Sequence, residues 1–122
     1  MYNGLPFLAS QGIHSLLKWK NVPLFKTTHD LSIYSMILQE VKPDIIIELG
    51  SGEGGSAIWL ADQANAMGLK TRVYSLDIKV PKIKHKNVTF LNVDLNNVKN
   101  IYNLQLFSDL QGKKIILEDA HV

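Results

Sequence analysis

Apolar residues recur along this chain at two different periods, and the switches between them mark out its elements. Ile13, Leu16 and Leu17 fall on one side of a helix over residues 13–20, which Asn21-Val22-Pro23 ends. Asp30 then precedes Ile33, Met36, Ile37, Glu40 and Val41 at three-to-four spacing. That spacing predicts a helix with Asp30 as its N-cap and Lys42-Pro43 as its stop. Ile45-Ile46-Ile47 is an unbroken β-branched run, the pattern of a strand buried on both faces. A helix is predicted next, from about Gly55 to Met67, closed by Gly68. Further strands are predicted at 72–77, 87–91 and 115–117, with a helix over 98–106 before the last of them. Strands alternating with helices require right-handed crossovers. The fold class is therefore α/β: a Rossmann-like, mainly parallel sheet with helices on both faces. The chain divides into an N-terminal segment with a short helix, 1–30, and part of a Rossmann-like ligand-binding domain, 31–122.

Composition excludes several classes. Of 122 residues, 46% are hydrophobic and 20% charged, which suits a folded globular domain. There is no cysteine, so disulfide and thiol chemistry are absent and any metal must take oxygen or imidazole ligands. The net charge of +2 is too small to point to nucleic acid. It is unevenly spread: residues 1–78 carry six basic against seven acidic side chains, and residues 79–122 carry seven against four. Much of the excess is the run Lys79, Lys82, Lys84 and Lys86, with His85 among them. No aromatic residues interleave with these lysines as a base-stacking platform requires, so the run reads as a solvated loop. His14 and His29 are isolated. The start, Met1-Tyr2-Asn3-Gly4, lacks the basic end and apolar stretch of a signal peptide. No apolar run approaches the ~20 residues of a membrane helix. A cytoplasmic protein, with no nucleic-acid or membrane partner, is the expectation.

The chemistry concentrates in Glu48-Leu49-Gly50-Ser51-Gly52-Glu53-Gly54-Gly55-Ser56, where a strand passes into a helix. Glycines there accept positive φ and let a ligand approach the main chain. The helix start offers free N–H groups, and parallel sheets bind ligands beyond the carboxyl ends of their strands. Two templates fit. Gly50, Gly52 and Gly55 match the dinucleotide pattern G-x-G-x-x-G. Glu48, Gly50, Gly52 and Gly54 match E-x-G-x-G-x-G, the pattern of class I S-adenosylmethionine (SAM) methyltransferases. Charge separates the two. A dinucleotide sets its pyrophosphate against the loop, where Glu48 and Glu53 would oppose it. SAM brings an ammonium and a sulfonium, which a strand-end carboxylate favours. Asp77 ends the next strand, 22 positions after Gly55, where an acid accepts both ribose hydroxyls of an adenosine. Asp94 follows the third strand, at the place that borders the adenine in SAM folds. The candidate cofactor-binding residues are thus Glu48, Gly50, Ser51, Gly52, Gly54, Gly55, Asp77 and Asp94.

The segment Trp19 to Asp30, then Lys42-Pro43-Asp44, then Glu48 to Ala57, resembles the cephalosporin hydroxylase family, which also holds rhamnosyl O-methyltransferases. The shared order is a tryptophan, a Pro-x-x-Lys-x-x-x-Asp segment, a helix, Lys-Pro-Asp, a β-branched strand and a loop ending Gly54-Gly55-Ser56-Ala57. The resemblance implies a class I SAM methyltransferase acting on a hydroxyl of a sugar or secondary metabolite. It implies that Glu48, Gly50 and Gly52 line the methionine end of SAM and that Asp77 holds the ribose. It also places Asp119, in Leu117-Glu118-Asp119-Ala120-His121, near the reacting centre. In some members that aspartate helps bind magnesium, which makes Asp119 the candidate metal ligand. Asp119 and His121 are the candidate catalytic residues, His121 as an alternative base. Four strands are countable, fewer than a complete sheet of this kind has. The expectation is therefore a partial chain whose last strand has an uncovered edge, open to pairing with a second copy. Two other readings compete: a nicotinamide-dependent oxidoreductase, and a catalytically silent SAM-binding module.

Overall fold

A computed structural model describes residues 17–96 and 111–118 of the chain. It opens on an antiparallel hairpin, β1 (Leu17–Trp19) and β2 (Val22–Leu24), paired Leu17 to Leu24 and Trp19 to Val22. Lys20 and Asn21 make the turn at φ 53° and 66°. Two successive left-handed residues give the tight turn whose twist matches paired strands. The helix expected over 13–20 is therefore corrected: its described part, Leu17 to Trp19, is a strand. Two helical turns of apolar spacing are too short to hold a helix without packing, whereas the hairpin buries Leu24 to 2% exposure.

Helix α1 (Thr28–Val41) starts three residues earlier than the sequence pattern suggests. Thr27 is the N-cap, its hydroxyl accepting from the Asp30 amide, and the Asp30 carboxylate accepts from the Thr27 amide in return. Asp30 thus caps from the first turn as half of a capping box. Lys42 ends the helix in the left-handed conformation, its N–H bonded to the Leu38 carbonyl, and Pro43 follows. Strand β3 (Ile45–Leu49), helix α2 (Gly55–Ala66) and strands β4 (Arg72–Asp77), β5 (Val88–Asn92) and β6 (Lys114–Glu118) complete the described elements.

The four later strands form one parallel sheet in the order β5-β4-β3-β6. The apolar run of β3 is explained by its place, with Ile45, Ile46 and Ile47 at 4%, 0% and 0% exposure. Ile46, Val73 and Val88 meet Leu38 of α1 and Ala57, Leu60, Ala61 and Ala64 of α2. Ile45, Ile47, Leu76 and Val93 form a second cluster on the opposite face. Both described helices lie on the first face; the helix expected over 98–106 falls outside the described residues. Strand β6 turns Ile115 and Leu117 toward the helices and leaves Ile116 53% exposed. Among the described residues β6 pairs with β3 alone. No described helix is long and apolar enough to cross a membrane.

The chain runs outward from β3 to β4 and β5, then returns to the other side of β3 as β6. That reversal is a topological switch point, and ligands of open α/β sheets bind outside the strand ends there. The hairpin packs beside it. A Cβ on Gly55 would run into the Pro23 carbonyl and come within 2.9 Å of the Leu24 Cα. Both obstacles are backbone, so neither can swing aside. Gly55→Ala is expected to cost about 1–3 kcal/mol through overpacking, read as a lower thermal midpoint. An unchanged midpoint would contradict this seating of the hairpin on α2.

Candidate functional site

The loop after β3 is shaped by three left-handed glycines: Gly50 at φ 105°, Gly52 at 55° and Gly54 at 96°. The Gly50 amide donates to the Leu76 carbonyl at 2.7 Å and ties the loop to β4. The Gly54 amide donates to the Ser51 carbonyl at 2.8 Å and closes the turn into α2. Gly54 serves packing as well, since a Cβ there would stand 2.7 Å from Ile83 and 3.2 Å from Phe90.

A pocket of about 260 Å³ opens beyond the carboxyl ends of β3, β4 and β5. The loop supplies Gly50, Ser51, Gly52, Gly55 and Ser56; β4 supplies Asp77 and Ile78; the turn after β5 supplies Asp94, Leu95 and Asn96. Pro23, Phe25 and Lys26, leaving the hairpin, form the remaining wall. Phe25 lies against Gly52, where an added Cβ would stand 3.0 Å from its ring. Backbone amides hold both acids. Asp77 accepts from the Ser51 amide at 2.9 Å and from the Ile78 amide at 2.7 Å, and Asp94 accepts from the Asn96 amide at 2.9 Å.

The structure thus brings together Gly50, Ser51, Gly52, Gly55, Asp77 and Asp94 from the sequence-derived candidates. Gly54 and Glu48 do not line the pocket. Glu48 is only 1% exposed and lies in the core at the end of β3. Its carboxylate accepts from the Ser56 hydroxyl at 2.5 Å and from the Ser75 hydroxyl at 2.6 Å. Ser75 in turn shares a 2.7 Å hydrogen bond with Ser51. Glu53 is exposed and also outside the lining. Asp119 and His121 lie outside the described residues. Among the described residues there is no cluster of three or more metal-ligating side chains.

The wall contributed by the hairpin is held by an acid that sequence reasoning passed over. Asp62 on α2 accepts from the Trp19 indole N–H at 2.8 Å and pairs with the Lys20 ammonium at 2.7 Å. Its other oxygen contacts His85 Nε2 at 2.8 Å. His85 Nδ1 accepts from the Asn87 amide at 3.0 Å, which leaves Nε2 as the donor. Partial burial alone would raise the Asp62 pKa. The bonds from Lys20, His85 and Trp19 outweigh it and hold the group at about 2, below the ordinary 3.8. One carboxylate thereby joins the hairpin, α2 and the loop before β5.

The model of the rhamnosyl O-methyltransferase/CmcI family matches residues 11–102. The chain belongs to this family. A rhamnosyl O-methyltransferase of Mycobacterium leprae (strain TN) is 27% identical over 117 residues, covering 82% of this chain and 51% of that protein. A CmcI structure described as cmcI-D160 Mg-SAM superposes with a TM-score of 0.74 at 25% identity, over 87% of this chain and 47% of that one. An apo structure of CmcI-N160 gives 0.75 at 24% identity, over 87% and 46%. The chain therefore spans about half the length of these relatives. Family and fold class are those that the sequence resemblance indicated.

Within this member of the CmcI family, the sequence signal for the Asp62 cluster was faint. Trp19, Asp62 and His85 belong to three separate segments, and no spacing rule connects them. His85 was hidden in a run of lysines that reads as solvent-facing. Asp62→Ala is expected to destabilise the fold by about 1.5–3 kcal/mol, since three donors lose a charged partner. Lys20 contributes least, being 61% exposed and screened. The pH dependence has a defined sign. A carboxyl depressed from 3.8 to about 2 adds stability that is full above pH 3.8 and is lost as pH falls toward 2. Acid titration of the wild type should show this loss, and the alanine variant should lack that component.

Proposed function

We propose that this chain binds SAM and serves the transfer of its methyl group to a hydroxyl on a sugar or secondary metabolite. The observation that carries the proposal is the pocket at the switch point, where Lys26 stands on one wall and Asp77 and Asp94 on another. SAM has the matching division of charge, a carboxylate at its amino-acid end and hydrogen-bond donors on ribose and adenine. The names of the relatives support the reading: one is a rhamnosyl O-methyltransferase and one structure is described with Mg and SAM.

The pocket residues fit such a ligand by their chemistry. Asp77 keeps acceptor capacity beyond its backbone bonds and would take the ribose hydroxyl protons. Asp94, Leu95 and Asn96 would border the base, with Ile78 as an apolar surface. Lys26 and the first turn of α2 would receive the carboxylate, and Gly50 and Gly52 leave room for the chain between. Phe25 over Gly52 would keep water from that end. When bound, SAM supplies an electrophilic methyl group, and the rate gain from the protein would come mainly from in-line positioning of the acceptor. Asp119 and His121, outside the described residues, are the proposed acceptor contacts, with Asp119 the residue to carry a magnesium ion.

A dinucleotide fits less well. A diphosphate would meet the carboxylates of Asp77 and Asp94, with Lys26 the one lysine among the described lining residues. Titration calorimetry should show saturable heat with SAM and none with NAD. Asp77→Ala should weaken SAM by roughly ten- to hundredfold, the usual worth of hydrogen bonds to a charged group. Heat with NAD alone would refute the proposal.

A further inference from the structure

Two segments lie along helix α2, each running to a different wall of the pocket, and both are fastened to one carboxylate. The hairpin passes over Gly55 with Pro23 and Leu24 and reaches Asp62 with Trp19 and Lys20. On the other side, residues 78–87 join β4 to β5 without a helix, although parallel strands are usually bridged by one. This loop starts at Asp77, whose carboxylate accepts from the Ile78 amide at 2.7 Å. It lays Ile83 over Gly54 and brings His85 to Asp62. Asp62 stands two turns beyond Gly55, about 10 Å along the helix, and does not line the pocket.

Only an ionised carboxylate can serve both segments at once. The Trp19 indole and the Lys20 ammonium donate and cannot accept. His85 is held to the same role, because its Nδ1 accepts from the Asn87 amide and its Nε2 carries the hydrogen. Oδ2 of Asp62 takes the two hairpin donors and Oδ1 takes the loop donor. The two oxygens thereby answer to two walls. The hairpin leads into Pro23, Phe25 and Lys26, and the loop leads back to Asp77 and Ile78.

We propose that Asp62 is a positioning residue with two separable arms. Through Trp19 and Lys20 it sets the wall that receives the amino-acid end of the ligand, and through His85 it sets the wall that receives the nucleoside. The proposal rests on the methyl-donor reading above, which assigns those two ends to those two walls. Both walls need such a fastening. Among the described residues β1 and β2 pair only with each other, and a lone two-stranded hairpin is marginal in water. The β4–β5 loop has no helix of its own to fix its path. A binding group has to be held to within about 0.5 Å. A wall released from Asp62 therefore costs affinity for the part of the ligand it faces, and spares the other part.

The test compares S-adenosylhomocysteine with adenosine, which lacks the amino-acid end, by titration calorimetry on the purified protein. Trp19→Phe keeps an aromatic ring and removes the N–H. It should weaken S-adenosylhomocysteine about three- to tenfold, the worth of one hydrogen bond, and leave adenosine unchanged. His85→Asn keeps an acceptor for the Asn87 amide and withdraws the donor from Asp62. It should weaken both ligands by one common factor, again about three- to tenfold. Asp62→Ala removes both arms, so S-adenosylhomocysteine should lose the product of the two factors and adenosine the second alone. If Asp62→Ala fails to fold, which circular dichroism reports, the two single-arm variants carry the test. A merely structural role would lower the thermal midpoint and leave the ratio of the two affinities where it was. An unchanged ratio in folded Trp19→Phe, or adenosine bound as before by folded His85→Asn, overturns the proposal and leaves the methyl-donor reading standing. A wild type that binds S-adenosylhomocysteine but not adenosine does the same, because the nucleoside wall then holds nothing by itself. A wild type that takes up neither compound overturns both the proposal and the methyl-donor reading beneath it.

Discussion

A carboxylate without water has to be met by hydrogen bonds, and the end of β3 is built around that requirement. Glu48 sits at the junction of the sheet with the glycine loop, almost wholly buried. Its position fixes which neighbours must be serine: Ser75 on the adjoining strand and Ser56 in the first turn of α2. Those two bonds hold β3 to β4 and β3 to α2 at one point. Because Ser75 reaches Ser51, and the Ser51 amide reaches Asp77, the same arrangement extends from the core to the acid at the pocket rim. Burying an acid is costly unless every such bond is made, so the geometry of the loop and the solvation of Glu48 are one problem with one solution.

The parts of the fold written in local pattern were legible in the sequence. The β-branched run gave β3, the Pro43 stop ended α1, and the turn glycines located the loop. Alternation of strand and helix gave the parallel sheet. What was not legible depended on contacts distant in sequence. The segment Leu17 to Trp19 has helical spacing but becomes a strand because Lys20 and Asn21 turn the chain back on itself and α2 offers a surface to cover. Thr27 rather than Asp30 begins α1 since both residues satisfy each other's amides, a pairing that spacing alone leaves ambiguous.

The site shows the same divide. Asp77, Asp94, Gly50, Gly52 and Gly55 reach the pocket because strand ends and switch points are fixed by topology, and topology follows from local pattern. Glu48 was assigned to the ligand because a motif records which residue is present without recording which way it points. On a strand, one step decides between core and pocket. The acids at the pocket surface are Asp77 and Asp94, whereas Glu48 and Glu53 lie outside the lining. Pro23, Phe25 and Lys26 enter only because the hairpin is fastened to α2 through Asp62, which no motif announces.

Among the described residues, every side chain that lines the pocket falls between residues 23 and 96, and β6 contributes none. During synthesis, then, these lining residues leave the ribosome ahead of the strand that later flanks β3. Domains tend to fold in the order in which they are made. The half of the sheet that borders the pocket is thus set out first, and the side of β3 across the switch point is supplied by polypeptide made later.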